Sequence, residues 1–277
     1  MPLVPDFLAG RSPPDLYHAY LEPAFEPWAR AMIEQMDPGG QVIDIACGTG
    51  LVSRLAAARP AIEHIEAIDV APPMIAKARS LGAEAANKVT YSEASALDLP
   101  FENDRFDCAL CQQGLQFFPD KVAGLREARR VLKPGAKGAF STWCFAKDGL
   151  PVFDAFEDIV AQELGSDLVP FGPFAFGDRQ TIARLAGEAG FRTVSLEAET
   201  RLSPLPDPRT IVLFDLCFVG RPASDGTLQP ILDFTDPASD EVIERLVEHM
   251  ERATAEYRQP NGSLLAPMRA HTLVVEA

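Results

Sequence analysis

No apolar run in the sequence approaches the ~18 residues that a bilayer-spanning helix requires, so membrane insertion is not expected. Positive charge is scarce. Only 25 Lys and Arg stand against 40 Asp and Glu, giving a formal net charge of −15. Binding to a phosphate backbone runs on Lys and Arg, so a nucleic-acid partner is not expected either. The opening stretch Met1–Gly10 carries Asp6 and no basic cluster ahead of an apolar core, so it does not read as a signal peptide. Cysteine is sparse and odd in number: Cys47, Cys108, Cys111, Cys144 and Cys217. Cys108 and Cys111 have metal-site spacing, but they fall in an apolar strand pattern, where positions three apart face opposite sides. No metal is expected, and the chain reads as cytoplasmic. Internal repeats and low-complexity tracts are absent.

The remainder has the balance of an ordinary globular protein, 47% hydrophobic and 23% charged. Asp15–Met36 has a helical pattern that Pro23 and Pro27 are expected to break or kink. Short apolar strands then alternate with helices. Strands are expected over 42–46, 64–70, 89–94, 106–111 and 138–143, with helices over 51–58, 72–81 and 120–132. Such alternation implies right-handed crossovers and an α/β fold: a doubly wound, mostly parallel sheet covered on both faces. Beyond residue 143 the pattern loosens. Helices are expected over 150–164, 178–189, 207–219 and 238–257, with strands over 191–202 and 268–275.

The stretch Val42-Ile-Asp-Ile-Ala-Cys-Gly-Thr-Gly50 is the most informative. Glycines directly after a strand let a ligand approach the backbone, because no Cβ blocks it. A nicotinamide fingerprint is disfavoured, because Leu51-Val-Ser53 follows where a third glycine belongs. Asp44, just before the loop, would also be awkward beside a pyrophosphate but favourable beside a cation. Asp69 closes the second strand, where a carboxylate suits ribose hydroxyls, a reading preferred over a cap for the helix beginning near Pro72.

Together with Ile68–Met74, Leu97–Phe101, Arg105–Asp107 and Ala128–Gly135, this stretch resembles the class I S-adenosylmethionine-dependent methyltransferases, in particular the group similar to ubiquinone and menaquinone biosynthesis enzymes. The resemblance implies a seven-stranded, Rossmann-like sheet with a helical lid. One domain over residues 1–277 is expected, its core about 37–144, 178–202 and 266–277. A helical segment 11–36 and inserts 145–177 and 203–265 would form the lid or cap. The implied cofactor is S-adenosylmethionine, released as S-adenosylhomocysteine.

The resemblance also assigns roles. Asp44, Ala46, Gly48 and Gly50 would surround the methionine part, Asp69 would hold the ribose, and Val70 and Met74 would pack on the adenine. Ser95, where the family often has Asp, would accept a weaker hydrogen bond from the adenine amino group, with Ala96 offering its N–H. Gln112 and Gln113, at the end of the fourth strand, are placed to touch the cofactor, and Tyr20 of the N-terminal segment is expected to fold over it. Gln116, Phe117, Trp143, Phe171 and Phe174 are expected to touch substrate.

In-line transfer from a sulfonium needs no acid for its leaving group, and a base only if the nucleophile arrives protonated. No catalytic residue is assigned, and among the histidines only His18 merits testing as a base. Phe145, Phe153, Phe156, Phe171, Phe174 and Phe176 crowd one loop-rich stretch. They point to a small apolar or aromatic acceptor under a cap, or else to the cap's own core or a homodimer contact. A non-catalytic protein that merely binds the nucleoside is the alternative, since function belongs to sites rather than folds.

Overall fold

The computed structural model describes residues 7–85, 87–165, 172–216, 220–222, 228–234 and 236–277. Strands β1 (Gly40–Ile45), β2 (Ile62–Asp69), β3 (Val89–Glu93), β4 (Phe106–Gln112) and β5 (Leu132–Trp143) pair in parallel, while β6 (Arg192–Leu205) and β9 (Leu264–Glu276) complete a seven-stranded sheet. Strands β7 (Gly220–Pro222) and β8 (Leu228–Pro230) form a separate two-stranded ribbon. The order of the large sheet is β3-β2-β1-β4-β5-β9-β6, with β9 antiparallel to both neighbours. The order therefore reverses between β1 and β4, and the crevice beyond their carboxyl ends is where a doubly wound sheet takes its ligand. This is the seven-stranded α/β architecture expected.

The helices are α1 (Pro13–Leu16), α2 (Glu22–Met36), α3 (Leu51–Ala57), α4 (Pro72–Leu81), α5 (Lys121–Val131), α6 (Pro151–Leu164), α7 (Arg179–Glu188), α8 (Pro208–Leu216) and α9 (Ala238–Ala253). Helices α2, α3 and α4 bury Met32, Ile33, Val52, Ala56, Ile75 and Ala78 on one face of the sheet. Helices α5 and α7 bury Leu125, Ala128, Ile182 and Ala186 on the other. Asp120 and Asp178 cap α5 and α7, accepting from the backbone of Ala123 at 2.9 Å and Thr181 at 2.7 Å. A third core joins α6, α8 and α9 to Trp28, Trp143, Leu205 and Met268.

Three departures from the sequence reading matter. The break in the N-terminal helix lies at a π-helical turn, Tyr17–Leu21, rather than at the prolines. Pro23 occupies the first turn of α2, where its missing N–H costs nothing, and Pro27 is carried inside the helix. Strand β5 starts at Leu132, directly after α5, so Lys133-Pro-Gly135 belongs to the strand, which was expected only from residue 138. Finally, β6 and β9 run longer than expected. Leu202–Leu205 pairs with Leu264–Pro267 beyond the last residue that β5 pairs with β9, which lifts Leu205 over the ligand end of the sheet.

Candidate active site

Two backbone outliers mark the crevice. Ala46, just after β1, and Gln113, just after β4, both have positive φ (57° and 52°). Non-glycine residues adopt this region rarely, at a cost of order 1–3 kcal/mol, and such strain clusters at ligand sites. The two turns touch: a Cβ on Gly114 would lie 2.7 Å from the Ala46 Cβ, so only glycine admits this approach. Gln113 is held by its own N–H, which donates to the Ser141 carbonyl at 3.1 Å. Its side chain is 5% exposed, yet neither amide atom has a partner, and the same holds for Gln116 at 9%. Buried amides are costly unless something satisfies them.

Asp44, only 1% exposed, accepts from Ser53 Oγ at 2.5 Å. Burial pushes its carboxyl up to about 7, with the Ser53 bond opposing the shift and the nearby Asp69 adding to it. Asp69 accepts from the N–H of Gly48 and of Ala71, each at 2.9 Å. Burial raises its carboxyl, and these backbone bonds resist the rise. Gly48 and Gly50 differ. Both have positive φ, but a Cβ on Gly48 would meet open space, whereas one on Gly50 would lie 2.8 Å from the Tyr91 ring. Gly50 therefore serves packing, and Gly48 leaves the cradle open.

Val70 and Phe117 are large apolar side chains left 69% and 61% exposed at this end of the sheet. Ser95 Oγ accepts from the Leu97 N–H at 3.1 Å, and Ala96 lies within the same turn. Gln112 Nε2 donates to the Phe25 carbonyl at 2.9 Å, which ties β4 to α2. Tyr20 stacks on Phe7 and accepts from Arg11 at 2.5 Å. Tyr17, on the opposite phase of the π turn, faces the site instead.

A cavity of about 400 Å³ adjoins this crevice. Met74, Gln113, Gln116 and Phe117 line it from the sheet end. Tyr17 and Phe25 line it from the N-terminal helices, and Trp143, Phe153, Phe156, Phe174, Leu205, Phe214 and Met268 complete an apolar wall. Of the residues expected to touch substrate, Gln116, Phe117, Trp143 and Phe174 thus converge, and Phe171 lies outside the described residues. His18 does not line it; its Nδ1 lies 2.9 Å from Glu22 Oε2. The sequence reading missed two carboxylates on this wall, Glu157 and Asp215. The latter had a visible signal, because it is the sole charge in the apolar run Ile211–Val219.

The N-terminal helices are fastened over the glycine loop. Glu22, itself buried, accepts from Thr49 Oγ1 and, at 2.8 Å, from Arg54, whose other nitrogen bonds the Thr49 carbonyl. Lys77 of α4 pairs with Asp15 of α1 at 2.8 Å.

Comparison with known proteins agrees with this geometry. Residues 42–135 match a family described as a methyltransferase domain. A ubiquinone biosynthesis O-methyltransferase of Xanthomonas oryzae pv. oryzae is 34% identical over 171 residues, covering 61% of this chain and 68% of that protein. A demethylmenaquinone methyltransferase of Corynebacterium kroppenstedtii is 30% identical over 182 residues, covering 60% and 75%. Among solved structures, a putative methyltransferase from Bacillus halodurans superposes with a TM-score of 0.55 at 16% identity, over 90% of this chain and 97% of that one. The fold and crevice define a class I methyltransferase. The chain belongs to the S-adenosylmethionine-dependent methyltransferases, enzymes that draw a methyl group from that cofactor. No helix among the described residues is long and apolar enough to cross a membrane.

The chemistry of the crevice suits that cofactor. A buried carboxyl, an open glycine and an unsatisfied buried amide meet at the β1 and β4 ends, where a charged amino acid moiety would satisfy all three.

Proposed function

We propose that the protein methylates a small apolar or aromatic acceptor held in the 400 Å³ cavity, with the cofactor lying along the β1, β2 and β4 ends. Asp44, Ala46, Gly48 and Gln113 would hold the methionine part, aided by Gly50 through loop packing. Asp69 would take the ribose hydroxyls, Val70 and Met74 would flank the adenine, and Ser95 and Ala96 would meet its edge. Tyr17 replaces Tyr20 as the tyrosine closing over the cofactor, and Gln112 acts indirectly by anchoring α2. A single observation carries the acceptor reading. Seven apolar side chains, from Trp143 to Met268, form one wall of a cavity whose other wall is the expected cofactor position.

The cofactor supplies a methyl carbon bound to a positively charged sulfur, whose departure needs no proton. What the chain contributes is positioning: it excludes water from the acceptor and aligns it, an effect worth roughly 7–11 kcal/mol in the best-oriented cases. Four free cysteines among the described residues accord with a reducing, cytoplasmic setting.

The chain has two tryptophans, and Trp143 lines the cavity while Trp28 packs on it at 5.5 Å. Titration of 1-naphthol into protein saturated with S-adenosylhomocysteine should therefore change tryptophan emission saturably, and Phe156→Ala should weaken the response. A linear, unsaturable response identical in the variant would refute the acceptor reading.

A further inference from the structure

Asp215, on α8, is the feature of the cavity that an apolar-acceptor reading does not explain. Its carboxyl lines the cavity and, among the described residues, has no hydrogen bond or ion pair. Burial alone pushes it up to about 7. Glu157, on α6, lines the same wall, and burial raises it too, with Asp154 and Asp158 adding. No Lys, Arg or His lines the cavity among the described residues.

Among the described residues the apolar wall keeps two carboxylates and no cation, a lining that disfavours an anion. For a phenolic acceptor, deprotonation by Asp215 would leave a phenolate facing Glu157 in a medium that solvates it poorly. For an amine, the charges cancel both before and after the proton moves: ammonium with carboxylate, then free amine with carboxylic acid. An ammonium also has three N–H donors, and Asp215, Glu157 and the unpartnered carbonyl oxygen of Gln116 offer three acceptor groups on the same cavity.

We infer that the acceptor is an amine on an apolar or aromatic body, and that Asp215 binds its ammonium and takes its proton. This rests on the apolar-acceptor reading above. In the step, an N–H bond of the ammonium breaks and an O–H bond forms on Asp215, leaving the electron pair on nitrogen. That pair bonds the methyl carbon while the electrons of the C–S bond stay on sulfur. The methylated product is a secondary ammonium, and Asp215 returns its proton to solvent as product leaves.

The test uses three probes of similar bulk, 1-naphthylmethylamine, 1-naphthalenemethanol and 1-naphthol. Each is titrated calorimetrically into the S-adenosylhomocysteine complex of the wild type and of Asp215→Asn, with methyl transfer from labelled S-adenosylmethionine followed in parallel. The amine should bind at least tenfold more tightly than the alcohol and be the probe that receives the methyl. Asp215→Asn should bring the amine to the affinity of the alcohol and leave the alcohol unchanged. An alcohol or naphthol bound as tightly as the amine, or an amine preference that survives in Asp215→Asn, overturns the inference while the apolar-acceptor reading stands. Binding of none of the three overturns both. Because the comparison within the wild type needs no variant, a misfolded Asp215→Asn would not rescue the inference.

Discussion

Asp44 is a carboxyl kept near neutrality by burial beside a position that calls for positive charge. Cofactor binding favours its ionised form, so the affinity for S-adenosylmethionine should fall as the pH drops through about 7, towards a limit of about tenfold per unit. Asp44→Asn should weaken binding at pH 8 and flatten most of that slope in a calorimetric series from pH 6 to 8. The two loop glycines give a second contrast. Gly50→Ala must push aside the Tyr91 ring at 2.8 Å and strain a φ of 82°, so it should lower stability by roughly 1–3 kcal/mol in urea titration. Gly48→Ala meets open space in the protein, so its stability loss should be the smaller one, about 1 kcal/mol from φ alone. Its cofactor affinity should suffer more, because the added methyl occupies the cradle. Equal stability losses in the two variants would contradict these assignments.

At the scale of elements, α1 and α2 are held to the sheet by two unequal ties. The Lys77–Asp15 pair is partly exposed, and pairs open to solvent contribute about 0–1 kcal/mol. Glu22 is buried and satisfies Thr49 and Arg54 together, so Glu22→Ala strands a partly buried guanidinium. Stopped-flow release of S-adenosylhomocysteine should therefore quicken at least tenfold in Glu22→Ala and by less than threefold in Lys77→Ala. The same segment shows why Tyr17 rather than Tyr20 lines the cavity. A π turn closes on the fifth residue rather than the fourth, so Tyr17–Leu21 shifts the phase of the helix. The resemblance pointed to Tyr20, but with this phase Tyr20 packs on Phe7 and Arg11 while Tyr17 lines the cavity. By contrast the positions of Asp44, Asp69 and Gln113 at the strand ends were legible, because a local strand–turn pattern fixes them.

For the whole molecule, the legible half is the one built from local strand–turn–helix units, and the cavity wall is built from distant segments. It draws on Phe153, Phe174, Leu205, Phe214 and Met268, residues that no window of sequence brings together. The length of β6 and β9 was underread because the extensions carry Pro204 and Pro267, and a proline in sequence reads as the end of a strand.

The buried carboxyls also shape stability. Asp44 and Asp215 are both raised to about 7, so folding favours their neutral forms. That stability is present in full below the ordinary carboxylate range and is lost as the pH rises through about 7. His271 runs the other way, since burial lowers its imidazole and its contribution falls away below about 6.5. Two carboxyls raised to about 7 outweigh one imidazole, so Tm should be higher at pH 5.5 than at pH 8, and the double variant Asp44→Asn/Asp215→Asn should shrink the gap.

The most direct test of the central claim is calorimetric titration of S-adenosylhomocysteine into the wild type and Asp69→Ala, with NAD as control. Micromolar binding in the wild type, weakened at least a hundredfold in a folded Asp69→Ala and absent for NAD, is the predicted result. A wild type that binds no S-adenosylhomocysteine, or an Asp69→Ala variant that binds it equally well, would contradict the site described here.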